Sequence, residues 1–173
     1  MDTHSPIAVL TGDIIGFSGY TENTRKEILA SLHQAAARIS ELYPQHIPYD
    51  IGLYRGDGWQ LVINEPSLAL RIALMIRCFL KTRINKRNMD TRIAIAIGEA
   101  DYLPEESLQT GDGEAFRASG YLLESLPRQT RLGCRWPAAD SAALEEVLDA
   151  MLQLLDTLVN QWTVKQALAV YGA

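Results

Sequence analysis

Two Gly-Asp pairs are the places in this 173-residue sequence where chemistry is easiest to locate: Gly12-Asp13 in TGDIIGFSGYT and Gly56-Asp57 in YRGDGWQL. Asp13 closes the run PIAVLTG (6–12), which is rich in β-branched residues and reads as a buried strand. A carboxylate at such a strand end is costly to keep ionised unless it is hydrogen-bonded, paired or metal-bound. Asp57 lies between two short runs, YDIGLY at 49–54 and the one that opens GWQLVI at 58–64, so it sits at the tip of a β-hairpin. With the hairpin beside the first strand, the two carboxylates form a hard-oxygen site for Mg²⁺ or Mn²⁺, with waters and substrate phosphates as the remaining ligands. Gly12, Gly16, Gly56 and Gly58 allow the backbone to approach closely around both acids. Taken singly, each Gly-Asp pair is more often a simple turn; the strand order makes the two together informative.

The elements that must position these acids follow from periodicity. A first helix is capped by Thr24 with Glu27 as in a capping box, and Ile28, Leu32, Ala35, Ile39 and Leu42 form its core stripe. A second runs from Ser67 to about Lys81 with Leu70, Ala73, Ile76 and Leu80 on one face. Lys81, Arg83, Lys86 and Arg87 at its end read as a solvated, dipole-compatible cluster. TRIAIAIG (91–98) is an alternating strand, GEAFRASGYLLESL a helix from 113, and TRLGCRW (130–136) a strand. Strand, helix, hairpin, helix, strand, helix, strand implies an α+β, ferredoxin-like palm: an antiparallel or mixed sheet covered on one face by helices. From Asp140, Leu144, Leu148, Met151, Leu155 and Leu158 mark a long amphipathic helix with its N-cap at Asp140 or Ser141. The expected division is a domain over 1–138 and a helical extension over 139–173, whose end resembles the lead-in to a further domain.

Composition narrows the function classes. A formal charge of −5 and a pI near 5.2 leave no bulk attraction to nucleic acid, so direct binding of DNA or RNA by this segment is not expected. Neither a signal peptide nor a membrane span is legible, and Cys78 and Cys134 are widely separated, which fits buried thiols in a reducing cytoplasm. His4, His33 and His46 lack a zinc-ligand spacing, and no Ser–His–Asp or Cys–His set is visible. Trp59, Phe17 and Tyr20 are candidates for stacking on a base, although packing is the commoner role for each.

GDIIGFS resembles the first-strand motif of class III nucleotidyl cyclases, RGDGWQLVI is similar to that family's Gly-Asp hairpin, and TRIAIAIGEA to its later strand ending in glycine. RGDGWQ and DGEAFRASG also resemble motifs of the bacterial SatD-like group. Over residues 6–136, the cyclase resemblance implies two divalent ions held by Asp13, Asp57 and the Ile14 carbonyl. It implies a nucleoside triphosphate whose phosphates face the N–H groups of Ile15, Gly16 and Phe17, with Gly56 at the hairpin. The reaction would be attack of a ribose 3′-hydroxyl on the α-phosphate with release of pyrophosphate, in a homodimer with composite sites.

Three departures accompany the matches. Ala118 and Leu122 stand where cyclases carry an asparagine and an arginine; Leu53 stands where a purine-selecting residue is expected; Arg55 or Arg117 would have to supply a missing cation. Three functions therefore follow: a cyclase or nucleotidyltransferase, a catalytically inactive nucleotide sensor of the same fold, and a structural dimerisation domain in which the acids only satisfy turns.

Overall fold

The computed structural model describes residues 6–54, 56–83, 89–103, 108, 111–136 and 142–172. Five strands, β1 (Ile7–Ile14), β2 (Gly52–Tyr54), β3 (Gly58–Ile63), β4 (Thr91–Gly98) and β5 (Leu132–Arg135), form one sheet in the order β2-β3-β1-β4-β5. β1 is central and antiparallel to both β3 and β4, whereas β5 runs parallel to β4. Of the antiparallel or mixed sheet expected from the element order, the mixed form is present, with the first Gly-Asp strand at its centre.

Helix α1 (Glu22–Leu42) connects β1 to β2, and α2 (Ala69–Arg83) connects β3 to β4. Both cover the face presented by Ala8 and Leu10 of β1, Leu61 and Ile63 of β3 and Ile93 and Ile95 of β4, packing on it with Ile28, Leu32, Ile39, Ile72, Ile76 and Leu80. Alternation sends Ile7, Val9 and Val62 to the opposite face, where they meet Ala115 and Phe116 of α3 (Glu114–Ser125). Helices thus cover both faces, not one. A parallel β4–β5 pair requires a crossover, and α3 is that crossover.

Local boundaries shift for identifiable reasons. Thr21, not Thr24, caps α1, its hydroxyl accepting from the Thr24 N–H at 3.4 Å, while Thr24 is buried inside the first turn. The basic end of α2 is solvated only in part: the Lys81 ammonium is drawn in to 3.2 Å from the Asp90 carboxylate, while Arg83 is exposed with its guanidinium over the Phe79 ring. Lys86 and Arg87 lie outside the described residues.

Helix α4 (Ala142–Gln161) packs on β5, and α5 (Val164–Tyr171) packs on α2, with Tyr171 edge-on to Phe79. Leu152, Asp156 and Val159 face inward, so Leu144, Met151 and Leu158 of the expected apolar stripe are exposed. Asp140 and Ser141, the expected caps, lie outside the described residues. Asp156 accepts from Arg77 Nη1 at 2.8 Å and from the Arg131 main-chain N–H at 2.9 Å, tying α4 to α2 and to the approach to β5. Arg77 is fully buried and holds Asp90 through two bonds of 3.0 and 2.7 Å.

Candidate functional site

Asp13 reaches the end of β1 opposite Gly58 of β3 and Arg92 of β4. The adjoining residues depend on close packing at Gly12. A Cβ there would lie 2.4 Å from the Trp59 indole and 2.7 Å from the Arg92 carbonyl, so only glycine leaves room for that ring under the strand. Trp59 is fully buried, its Nε1 donating to Thr91 Oγ1 at 2.9 Å, and Thr91 donates in turn to the Asp13 carbonyl at 2.6 Å. The indole is therefore a support beneath Asp13, on the face away from the cleft.

Asp57 follows Gly56, whose φ of 86° provides the left-handed backbone the hairpin tip needs. The Asp57 carbonyl accepts from the Ile14 N–H at 3.3 Å, fixing the tip against the end of β1. Asp13 and Asp57 thereby line one cleft of about 400 Å³ with Thr11, Tyr54, Gln60, Arg92 and, from α3, Gly120, Leu123 and Glu124. A polar ladder continues up the sheet from it: Gln60 Nε2 donates to Thr11 Oγ1 at 3.0 Å, and Thr11 shares a 2.7 Å hydroxyl bond with Ser119.

Arg92 is the side chain that sequence reasoning missed. Its Nε donates to Asp13 Oδ1 at 2.9 Å and its Nη2 to Oδ2, a bidentate pair in which both side chains are about three-quarters covered. The Asp13 hydrogen bonds, with the charges of Asp13 and then Asp57, raise the guanidinium pKa against the opposing effect of burial. The available signal was alternation: with Ile93, Ile95 and Ile97 on one face of β4, Arg92 must point to the other. That it meets Asp13 depends on register.

The remaining expected residues are placed as follows. Ile14 is buried at the strand end. The Ile15 N–H already donates to the Asp90 carbonyl at 3.0 Å and is committed to the backbone, which leaves the turn beginning at Gly16, φ 71°, as the part of this loop exposed to solvent. The Phe17 ring packs on the main core with Arg25 over it, and Arg25 Nε donates to the Phe17 carbonyl at 3.1 Å, so this loop is braced from α1. Arg117 lies outside the cleft lining, paired with Asp101 at 2.9 Å and Asp112 at 2.6 Å on the surface. Leu53 packs on the main core while its neighbour Tyr54 lines the cleft. Arg55 lies outside the described residues.

The donor set suits a divalent cation in one respect: a carboxylate at the end of β1 and one at the hairpin tip both act on a single cation, and that cation is now Arg92. Among the described residues, no group of three or more His, Cys, Asp or Glu side chains could hold a metal. A metal here would take the rest of its shell from main chain, water and substrate, as Mg²⁺ commonly does. Burial raises the thiol pKa of Cys78 to about 11 and that of Cys134 to about 12, so neither is a nucleophile near neutral pH. A larger cavity, about 750 Å³, lies between α1, α2 and α5, but its lining carries no carboxylate, and its size alone does not make it the seat of chemistry.

No family model and no curated protein matches the chain. Solved structures do. The guanylate cyclase domain of a protein from Catenaria anguillulae in complex with GTP superposes with a TM-score of 0.53 at 17% identity, covering 70% of this chain and 73% of that one. A bacterial light-regulated adenylyl cyclase gives 0.53 at 19%, covering 74% of each chain. The fold is that of a nucleotide-cyclase catalytic domain. The active GGEEF domain of a diguanylate cyclase from Vibrio cholerae gives a TM-score of 0.55 at 15%, covering 78% of this chain and 85% of that one. At these identities the likeness carries the fold alone, and the cyclase palm is common to enzymes with different products. Among the described residues no helix is long and apolar enough to cross a membrane.

Proposed function

We propose that the cleft binds a nucleoside triphosphate with Mg²⁺ or Mn²⁺, and that this cyclase palm cyclises the nucleotide or transfers its nucleotidyl group with release of pyrophosphate. The observation that carries the reading is the convergence of Asp13, at the end of β1, and Asp57, at the hairpin tip, on one cleft whose cation is an arginine. Asp13, Asp57 and the Ile14 carbonyl would hold the metal, which lowers the pKa of an attacking hydroxyl and supports the phosphates. Because both Asp13 oxygens are engaged by Arg92, loading the site requires that pair to open. The freed guanidinium then has the charge and fork geometry to bind phosphate oxygens two-pronged. Metal entry and phosphate capture are thus coupled through one side chain. Gly16 and Gly56 offer main chain to the phosphates, and the resemblance of RGDGWQ and DGEAFRASG to motifs of SatD-like proteins supports a kinship with that group.

A second reading, a nucleotide sensor without turnover, is favoured by α3. That helix turns Gly120, Leu123 and Glu124 toward the cleft, and Ala118 and Leu122 stand where an asparagine and an arginine would stabilise the transferring phosphate. A Glu124 carboxylate beside a triphosphate opposes it and supplies no such stabilisation.

Calorimetric titration with ATP, GTP, CTP and UTP plus Mg²⁺ or Mn²⁺, followed by chromatography of each mixture, separates these readings. Metal-dependent binding with a cyclic or linked product establishes the enzyme, and binding without product establishes the sensor. Binding that survives Asp57→Ala unchanged removes the site altogether.

A further inference from the structure

The cavity between α1, α2 and α5 lies on the sheet face that α1 and α2 cover, whereas the cleft is lined by α3 on the other. At about 750 Å³ it has the size of a site for a small organic molecule, and it shares no lining residue with the cleft. Leu42, Leu70, Leu74, Met75 and Val170 make most of its wall apolar. Two arginines line it as well, Arg38 and Arg71, and no acid does. Arg38 is already held by Glu41 at 2.7 Å. Arg71 is exposed and has neither a hydrogen bond nor an ion pair to any described residue. It stands in the first turn of α2, which holds no acid, so its charge opposes the helix dipole. Glu65, the nearest acid in sequence, is turned to Ser67, accepting from its N–H at 3.3 Å and its hydroxyl at 2.7 Å.

The second unmatched group is Tyr171 at the end of α5. Its ring is part-buried and lines the same cavity, while its hydroxyl oxygen is shielded from solvent. Among the described residues this is the one buried side-chain nitrogen or oxygen without a hydrogen-bond partner. Buried polar atoms are nearly always paired, so an orphan on a cavity wall points to a ligand atom. Burial raises the Tyr171 pKa against the lowering effect of Arg38 and Arg83, so the phenol keeps its proton and is a donor. A cation without an anion and a donor without an acceptor thus line one largely apolar space.

We propose that this cavity binds a small amphiphilic carboxylate, its apolar body against the leucines and its carboxylate bound by Arg71 and receiving the Tyr171 hydrogen bond. A guanidinium holds such a head two-pronged. A neutral hydrocarbon would leave both polar groups unmatched, and a cation would meet two arginines. A metal-bound triphosphate fits poorly, because the lining has no carboxylate to hold the ion.

Calorimetric titration of the full chain with decanoate, decanol and decyltrimethylammonium, each below its micelle concentration, tests this. Decanoate should saturate at one per chain, with decanol about tenfold weaker for want of the charged hydrogen bonds, and decyltrimethylammonium should not bind. Arg71→Ala should bring decanoate down to the decanol value and leave decanol unchanged. Tyr171→Phe should weaken decanoate about fivefold, the worth of one neutral hydrogen bond, without lowering the thermal midpoint of the free protein; a tyrosine that serves the fold alone would lower it and spare binding. Asp57→Ala, which alters only the cleft, should bind decanoate as the native protein does. Absence of saturable decanoate binding overturns the proposal, as does equal affinity for decanoate and decanol or native affinity in Arg71→Ala. Loss of binding in Asp57→Ala places the ligand in the cleft and overturns it as well.

Discussion

On the proposed reading, a divalent ion would compete with Arg92 for the Asp13 carboxylate, both of whose oxygens Arg92 engages. Removing the arginine should therefore separate two effects that the native protein couples. In Arg92→Ala, Mn²⁺ titrated without nucleotide should bind roughly tenfold more tightly, because the metal no longer has to displace charged hydrogen bonds worth about 1.5–3 kcal/mol. Nucleotide affinity with metal saturating should fall by about the same factor, a charged phosphate contact being worth ~1.5–3 kcal/mol. Calorimetry reads both, and a variant that loses metal and nucleotide together contradicts the competition. Folding stability should change by no more than about 1 kcal/mol, since the pair is partly solvated. Gly12 is the contrasting case. Gly12→Ala drives a methyl into the Trp59 ring and the Arg92 carbonyl, and should cost about 1–3 kcal/mol or more in urea unfolding because neither neighbour can retreat. Both Gly-Asp pairs were legible as sequence because glycine beside an acid is a local feature. Arg92 was not, because its role comes from lying opposite Asp13 across two strands.

At the level of elements, α2, β4 and α4 are joined by buried charge. Arg77 bridges Asp90 and Asp156, Lys81 and Arg131 reach the same Asp90 carboxylate, and the Asp90 carbonyl holds the Ile15 N–H of the loop after Asp13. Burial alone would raise the Asp90 pKa, but the hydrogen bonds and charge of Arg77, with Lys81 and the Thr91 N–H, more than offset it and hold the pKa below the usual carboxylate value. Asp90 therefore contributes stability that is fully present above the unfolded carboxylate pKa, about 4, and is lost as pH falls through its lowered folded value. Urea midpoints measured against pH should drop on the acid side, and Asp90→Asn should flatten that slope. Arg77→Met leaves two buried carboxylates without their main partner and should cost about 3–5 kcal/mol. Periodicity marks α2 as helical but treats Arg77 as a polar interruption, because nothing local reveals that acids 13 and 79 positions away will meet it.

For the molecule as a whole, ligand binding at a cleft formed by five elements should appear as global stabilisation. A nucleoside triphosphate at a hundredfold its dissociation constant, with Mg²⁺, adds about 2.7 kcal/mol to a protein that binds it only when folded. In a chain of this size that raises the thermal midpoint by roughly 5–10 °C. Scanning calorimetry with metal alone, nucleotide alone and both should give the full shift only for both, and an equal shift with nucleotide alone contradicts the metal requirement. By itself the sequence determined the order of strands and helices, a palm with an antiparallel or mixed sheet, and the two acids at a strand end and a hairpin tip, because apolar period, turn residues and strand termini are properties of neighbouring residues. Only the tertiary structure decided that α3 covers the second face, that Trp59 is a buried support, that Arg117 pairs on the surface and that Arg92 occupies the cleft. Those outcomes depend on register and crossover, which bring together residues far apart in the chain, and hydrophobic pattern constrains which face a residue takes without specifying which distant partner it meets there.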